Sequence, residues 1–407
     1  MAAEMNLFRS TLSSPTLLFL LAPFIVAGCG ADPEPGSSDE AEDTGTDESG
    51  ETGTDETTTD ESGSGESSED DVGESTEEST ETGTETDTET DSDTGETDTG
   101  GDNLACLDGQ FLNGPSPGPA YGAYDLTIGS HCNGTNNQDI TDIERVVFLG
   151  DSVTVGTPPT GVNEFYRSLV ADELEMAFDL DATNFLWKQY DPVNGTAVVQ
   201  DAGDFSSCAK WGARNDDFLG NQLEDCFPEE ERLKRTLVIT TMGGNDIAAL
   251  AKDAVEGVTT DALLADADSM LADLRMGMEW MMDPEKFPNG IFVVFANVYE
   301  FTDATADLLS CPAASVAGFD ANPEDPDQLM ELINYINGEY AQVAADFGTD
   351  LVFMFENFCG HGFRADDTSG LCYRGPSSDT WFDLTCIHPT PDGHAALAGL
   401  FLDVILE

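Results

Sequence analysis

The chain has 407 residues, with 81 acidic and 14 basic side chains and a net charge of −67. A surface so depleted of cations excludes partners that are held by basic patches, so neither nucleic acid nor an anionic lipid headgroup is expected to bind.

Taken from the amino terminus, the first segment reads as a processing signal. Arg9 precedes an apolar run over residues 17–26, too short to span a bilayer comfortably and laid out like a secretory core. The run ends in Val26-Ala27-Gly28-Cys29, which resembles the bacterial lipobox. That resemblance implies removal of residues 1–28, lipidation of Cys29, and a chain held in the bacterial cell envelope, at the outer membrane or cell surface, by acyl chains rather than by a helix. The other reading is a plain secretory signal with an incidental cysteine. Residues 29–103 are then expected to form a disordered acidic Thr/Ser/Gly-rich tether. They carry 29 acidic residues and no Lys or Arg, and lack the apolar periodicity that would offset the entropy of ordering. No stretch has the spacing, the glycine and the terminal glutamate of a calcium loop.

Residues 104–407 hold 51 acidic and 13 basic side chains and suit one large α/β domain. A loop-rich entry over residues 104–144 leads to the apolar strand Val146-Val147-Phe148-Leu149, which stops at Gly150-Asp151-Ser152. A helix is expected over residues 164–178, and a strand from residues 185–190 with 197–200. The next clear strand, residues 237–242, ends in Gly243-Gly244-Asn245-Asp246. A helix follows, with Leu264, Ala267, Leu271, Leu274, Met278 and Met281 on one face. Strands at 291–295 and 351–355 flank a long loop over residues 299–326 and an amphipathic helix from Leu329 to Phe347, stopped by Gly348. A cysteine-bearing loop reaches His388-Pro389, and a last helix carries Leu397, Leu400, Phe401 and Val404. Strands alternating with helices predict a parallel sheet covered on both faces.

Apart from Cys29 there are eight cysteines, an even number that suggests disulfides in an exported chain. The expected pairs are Cys106–Cys132, Cys208–Cys226 and two bridges among Cys311, Cys359, Cys372 and Cys386. No Cys-x-x-Cys pair occurs, so no zinc site is expected, and nothing in the sequence asks for another metal or a cofactor.

Gly150-Asp151-Ser152, Gly212, Gly243-x-Asn245-Asp246 and His388-Pro389, in that order, resemble the blocks of the SGNH (GDSL) hydrolase family over about residues 145–407. The resemblance implies a flavodoxin-like three-layer α/β/α sandwich with a central parallel sheet, and hydrolysis of acyl esters through an acyl-enzyme. Attack on an ester carbonyl needs an activated nucleophile, a base near neutral pKa and donors aimed at the developing oxyanion. The resemblance assigns these roles to Ser152, to His388, and to the backbone N–H groups of Ser152 and Gly212 with the side-chain amide of Asn245. Gly203 is the fallback for Gly212. Asp151 reads as a hydrogen-bonder that shapes the turn, His131 and His361 as loop residues, and His394 as a packing or capping residue. One position departs from the family. The Asp usually three residues before the histidine is Thr385 here, and Asp383 lies five before. The acceptor for the second imidazole N–H is therefore expected to be Asp383 or a backbone carbonyl within residues 383–386, the hydroxyl of Thr385 being a poor partner for an imidazolium. The natural substrate is not legible: a lipid ester, an acylated carbohydrate and a small acyl ester all fit a monomeric enzyme of this kind. The alternative from another class is an inactive hydrolase fold that serves as a binding or adhesion lipoprotein.

Overall fold

The structure, a computed structural model, describes residues 105–407. The signal, Cys29 and the acidic stretch lie outside the described residues, as does the side chain of Cys106.

Six strands form one sheet in the order β4 (Asp201–Ala202), β5 (Phe205–Ser207), β1 (Arg145–Gly150), β6 (Thr236–Thr241), β7 (Ile291–Ala296) and β8 (Asp350–Val352). The five from β5 to β8 run parallel, and β4 is an antiparallel edge. The fold is the expected α/β sandwich, with a mixed edge. Every residue of β1 and β6 is buried, so helices cover both faces. Helix Tyr166–Phe178 packs with Pro391–Ile405, and Thr260–Met281 with Pro326–Phe347. Val146, Val147, Phe148 and Leu149 are wholly inaccessible, and burying each such side chain is worth roughly 1.5–3 kcal/mol.

The register sets the site. Gly150 of β1 pairs with Thr241 of β6, and Thr241 pairs with Ala296 of β7. The carboxyl ends of the central strands therefore finish at one level, and the turns after β1 and β6 emerge side by side. This is where open α/β sheets place ligands. Gly150 is required there. Its φ is +129°, and a Cβ would sit 2.2 Å from the carbonyl oxygen of Thr241.

Two expectations are corrected. Residues 185–200 add no strand to the sheet. Phe185–Lys188 is a helical turn, because Asn184 Oδ1 accepts from the N–H groups of Leu186 and Trp187, and β2 (Tyr190–Asp191) and β3 (Thr196–Ala197) form a separate hairpin. The edge of the sheet comes instead from β4 and β5. The apolar run 351–355 is strand only to Val352 and then turns into the buried helix Met354–Phe358, whose Phe355 N–H is taken by Asn297 Oδ1 at 2.7 Å. The helix expected to carry Leu264 to Met281 is Thr260–Met281, and a further helix, Gly244–Val255, precedes it, the two broken at Gly257.

Cys208–Cys226 is formed, and the last four cysteines pair as Cys311–Cys386 and Cys359–Cys372. Cys132 is disulfide-bonded, while the proposed partner Cys106 falls outside the described side chains.

Candidate active site

Asp151 caps the single helical turn Ser152–Val155, its Oδ1 accepting from Val153 N–H at 2.9 Å. The cap turns the chain sharply at the end of β1 and sets Ser152 in the lining of a pocket. Asp151 is buried, and burial pushes its carboxyl up to about 7. Besides Val153 N–H, Oδ1 accepts from the Thr241 hydroxyl at 3.5 Å, and Asp151 N–H donates to the Thr241 carbonyl at 3.2 Å, so the turn is shaped locally and tied to β6.

Ser152 Oγ lies 2.8 Å from His388 Nε2 although 236 residues separate them. His388 is carried on a tight turn over residues 381–390. Asp383 N–H donates to the His388 carbonyl at 2.9 Å, Cys386 N–H to the Asp383 carbonyl at 3.0 Å, and Thr390 N–H to the Trp381 carbonyl at 2.7 Å. Behind the turn, Tyr299 donates its hydroxyl to the Ile387 carbonyl at 2.7 Å and meets the Phe382 ring edge-on at 5.0 Å. The Cys311–Cys386 disulfide ties the turn to the loop after β7. His388 keeps some solvent contact, yet enclosure of its ring pulls the imidazole down to about 4, leaving it neutral and able to accept a proton.

The other ring nitrogen corrects the expectation. The partner of His388 Nδ1 is Thr385 Oγ1, at 2.7 Å. Asp383 does not meet the ring. Its Oδ1 takes the Thr385 hydroxyl at 2.5 Å and the Thr385 N–H at 2.7 Å. No backbone carbonyl takes this place either. The physical reason is the turn itself, in which Cys386 at φ +73° and Thr385 fold back over Asp383.

Asn245 opens helix Gly244–Val255 and lines the pocket with Ser152. One of its amide hydrogens goes to the Ala213 carbonyl at 2.9 Å, which fixes the side chain and leaves the second hydrogen for another acceptor. Gly212 is the residue before Ala213, in an exposed turn. The reason for its glycine differs from the expected close approach: a Cβ would meet nothing within 4 Å, whereas its φ of +77° favours glycine. Gly203 turns the β4–β5 hairpin, where a Cβ would strike the Asp181 carbonyl oxygen at 2.1 Å, and like Gly212 it does not line the pocket.

The remaining histidines have other partners. His131 Nε2 pairs with Glu407 at 2.9 Å. His361 stacks on Trp381 at 3.5 Å. His394 is buried, stacks on Tyr166, and accepts from Tyr166 N–H at 3.2 Å.

From Ser152 the pocket runs inward between helix Gly244–Val255, helix Pro326–Phe347 and the loop after β7. Its walls are mostly apolar, including Met242, Ile247, Val298, Phe301, Phe319 and Ile333, and its volume is about 80 Å³.

The family model described as the GDSL-like lipase/acylhydrolase family matches residues 148–396. No curated protein matches the chain. Among solved structures it is similar to the extracellular lipase of Streptomyces rimosus, at 20% identity and a TM-score of 0.40, covering 64% of this chain and 99% of that one. It is also similar to phospholipase A1 of Streptomyces albidoflavus NA297, at 17% identity and a TM-score of 0.40, covering 64% and 98%. A lipase from a goat rumen metagenome is similar at 15% identity and a TM-score of 0.43, covering 64% and 97%.

Proposed function

The chain belongs to the GDSL-like lipase/acylhydrolase family and is a carboxylic ester hydrolase; from that premise we propose that it works through an acyl-enzyme on Ser152. The observation that carries the reading is the 2.8 Å contact between Ser152 Oγ and His388 Nε2. The serine proton moves to Nε2 as Oγ bonds to the ester carbonyl carbon. The carbonyl oxygen becomes an oxyanion, held by the free amide hydrogen of Asn245 and the N–H groups of Ser152 and Gly212. The intermediate then expels the alcohol, which takes the proton back from His388. Water repeats the sequence on the acyl-enzyme, giving its proton to His388 and releasing the acid and Ser152. No metal or cofactor enters these steps.

The acyl group lies in the apolar pocket. A dry cavity of roughly 150 Å³ holds one benzene, so about 80 Å³ suits an acyl group of about two to four carbons. On the sequence alone, the enzyme is further proposed to act as a monomer at the bacterial cell surface, tethered by a lipid on Cys29. Labelled palmitate should enter the chain and be lost in Cys29→Ser; label that persists in the mutant would sink the tether.

A fluorophosphonate probe tests the core of the reading. It should label the wild type and not Ser152→Ala, and p-nitrophenyl acetate hydrolysis should vanish with the label. A folded wild type that neither labels nor hydrolyses would make the chain a binding protein with a hydrolase fold.

A further inference from the structure

Thr385 occupies the position between the proposed base and the nearest carboxylate, and its contacts determine which way every proton in the site points. His388 Nε2 can take the serine proton only if it is bare, so the ring proton must sit on Nδ1. That proton faces Thr385 Oγ1 at 2.7 Å. The threonine oxygen must then accept, and its single hydrogen must go elsewhere. Asp383 Oδ1 is there at 2.5 Å. The same carboxylate oxygen already accepts the Thr385 N–H at 2.7 Å, which marks it as an acceptor. Asp383 Oδ2 is buried and has no partner among the described residues. Should Asp383 become protonated, as burial encourages, the proton belongs on Oδ2 and Oδ1 still accepts.

We propose that Thr385 is a positioning residue that relays the hydrogen-bond acceptance of Asp383 Oδ1 to His388 Nδ1, so that the base is oriented by the chain Ser152–His388–Thr385–Asp383. The proposal rests on the reading of Ser152 as nucleophile. The hydroxyl acts as a donor to the carboxylate and an acceptor for the ring at once. Polarised by the carboxylate, its oxygen is a better acceptor than an isolated alcohol. The orientation depends on Oδ1 as an acceptor more than on the carboxylate charge. This separates the site from one in which an anion touches the imidazole.

The test is a kinetic set with one spectroscopic measurement. Thr385→Val keeps the shape and removes the hydroxyl. It should lower kcat by about 10²- to 10³-fold with KM within about threefold, less than the roughly 10⁴-fold loss known for a histidine held in the wrong tautomer. Thr385→Ser should restore kcat to within about fivefold of wild type. Asp383→Asn, which retains Oδ1, should cost about tenfold or less, and should cost nothing further when added to Thr385→Val, because the link is already cut. In Ser152→Ala protein labelled with ¹⁵N-histidine, assigned through His388→Gln, His388 should be the Nδ1–H tautomer. This measurement needs no change at Thr385, so it can overturn the relay even if Thr385→Val does not fold. An Nε2–H tautomer, a Thr385→Val enzyme within about threefold of wild-type kcat, or an Asp383→Asn penalty of more than about twofold that persists undiminished in the Thr385→Val background would each overturn the relay. If wild type hydrolyses no ester, or Ser152→Ala retains full activity, it is the nucleophile reading that fails.

Discussion

In the proposed mechanism Asn245 divides its two hydrogens between structure and chemistry. The bond to the Ala213 carbonyl at 2.9 Å holds the amide in place before substrate arrives, so no reorganisation is needed when charge develops. Asn245→Ala should lower kcat by about 10²- to 10³-fold with little change in KM, as loss of one preorganised donor does. Steady-state kinetics on a short-chain ester check this, and a near wild-type kcat would remove Asn245 from the mechanism. That Ser152 would meet His388 and share a pocket with Asn245 was legible because each follows a turn signal in a fixed order of motifs. Thr385 was not. A lone hydroxyl is a weak acceptor for an imidazolium, and nothing in the local sequence says that Asp383, two residues earlier, folds beneath it to take its hydrogen.

At the scale of elements, β1, β6 and β7 were legible because strands buried on both faces read as unbroken apolar runs. The edge strands were not. β4 and β5 are two and three residues long and carry Asp and Ser, so their assignment is made by pairing rather than composition. Residues 185–188 have strand-like apolar content, but the Asn184 cap wins locally. The loop after β7 and the His388 turn are joined by Cys311–Cys386, 75 residues apart, and by the Tyr299–Ile387 bond. Closing a loop of that length stabilises the fold by about 4.5 kcal/mol in the chain-entropy picture. It also fixes the residue two before the base. A Cys311→Ser/Cys386→Ser double variant should therefore lose at least about tenfold in kcat, since small misplacements of reacting groups are costly. Far-UV circular dichroism should stay that of the wild type. Unchanged kcat in a folded double variant would show that the hydrogen bonds hold the turn alone.

For the whole molecule, burial sets two opposing responses to pH. Asp151, Asp246 and Glu300 are each pushed up to about 7. Carboxyls raised on folding favour the folded state fully below their ordinary range, and that stabilisation is lost as pH rises through about 7. His388 and His394 are pulled down, to about 4 and about 3. They favour the folded state above the ordinary histidine value of 6.5, and their contribution is lost as pH falls towards those values. Self-repulsion among 51 acidic and 13 basic side chains after residue 103 adds to the first response. Tm should therefore be higher at about pH 6 than at about pH 8, and fall again in stronger acid. Calorimetry across this range is the check, and a Tm that climbs steadily to pH 8 would contradict the carboxyl shifts.

The Cys311–Cys386 bond also gives the molecule a clock. Disulfides form in oxidising surroundings and are scarce where thiols are kept reduced, so a chain still in a reducing compartment has its sheet but lacks the tie beside its base. If the double variant loses activity as expected, catalytic competence dates from oxidation rather than from folding. Were the chain exported, as its amino-terminal sequence is read, the cell that makes it would be shielded from it until the chain has left, and the same chain drawn back into reducing conditions would be disarmed without being unfolded.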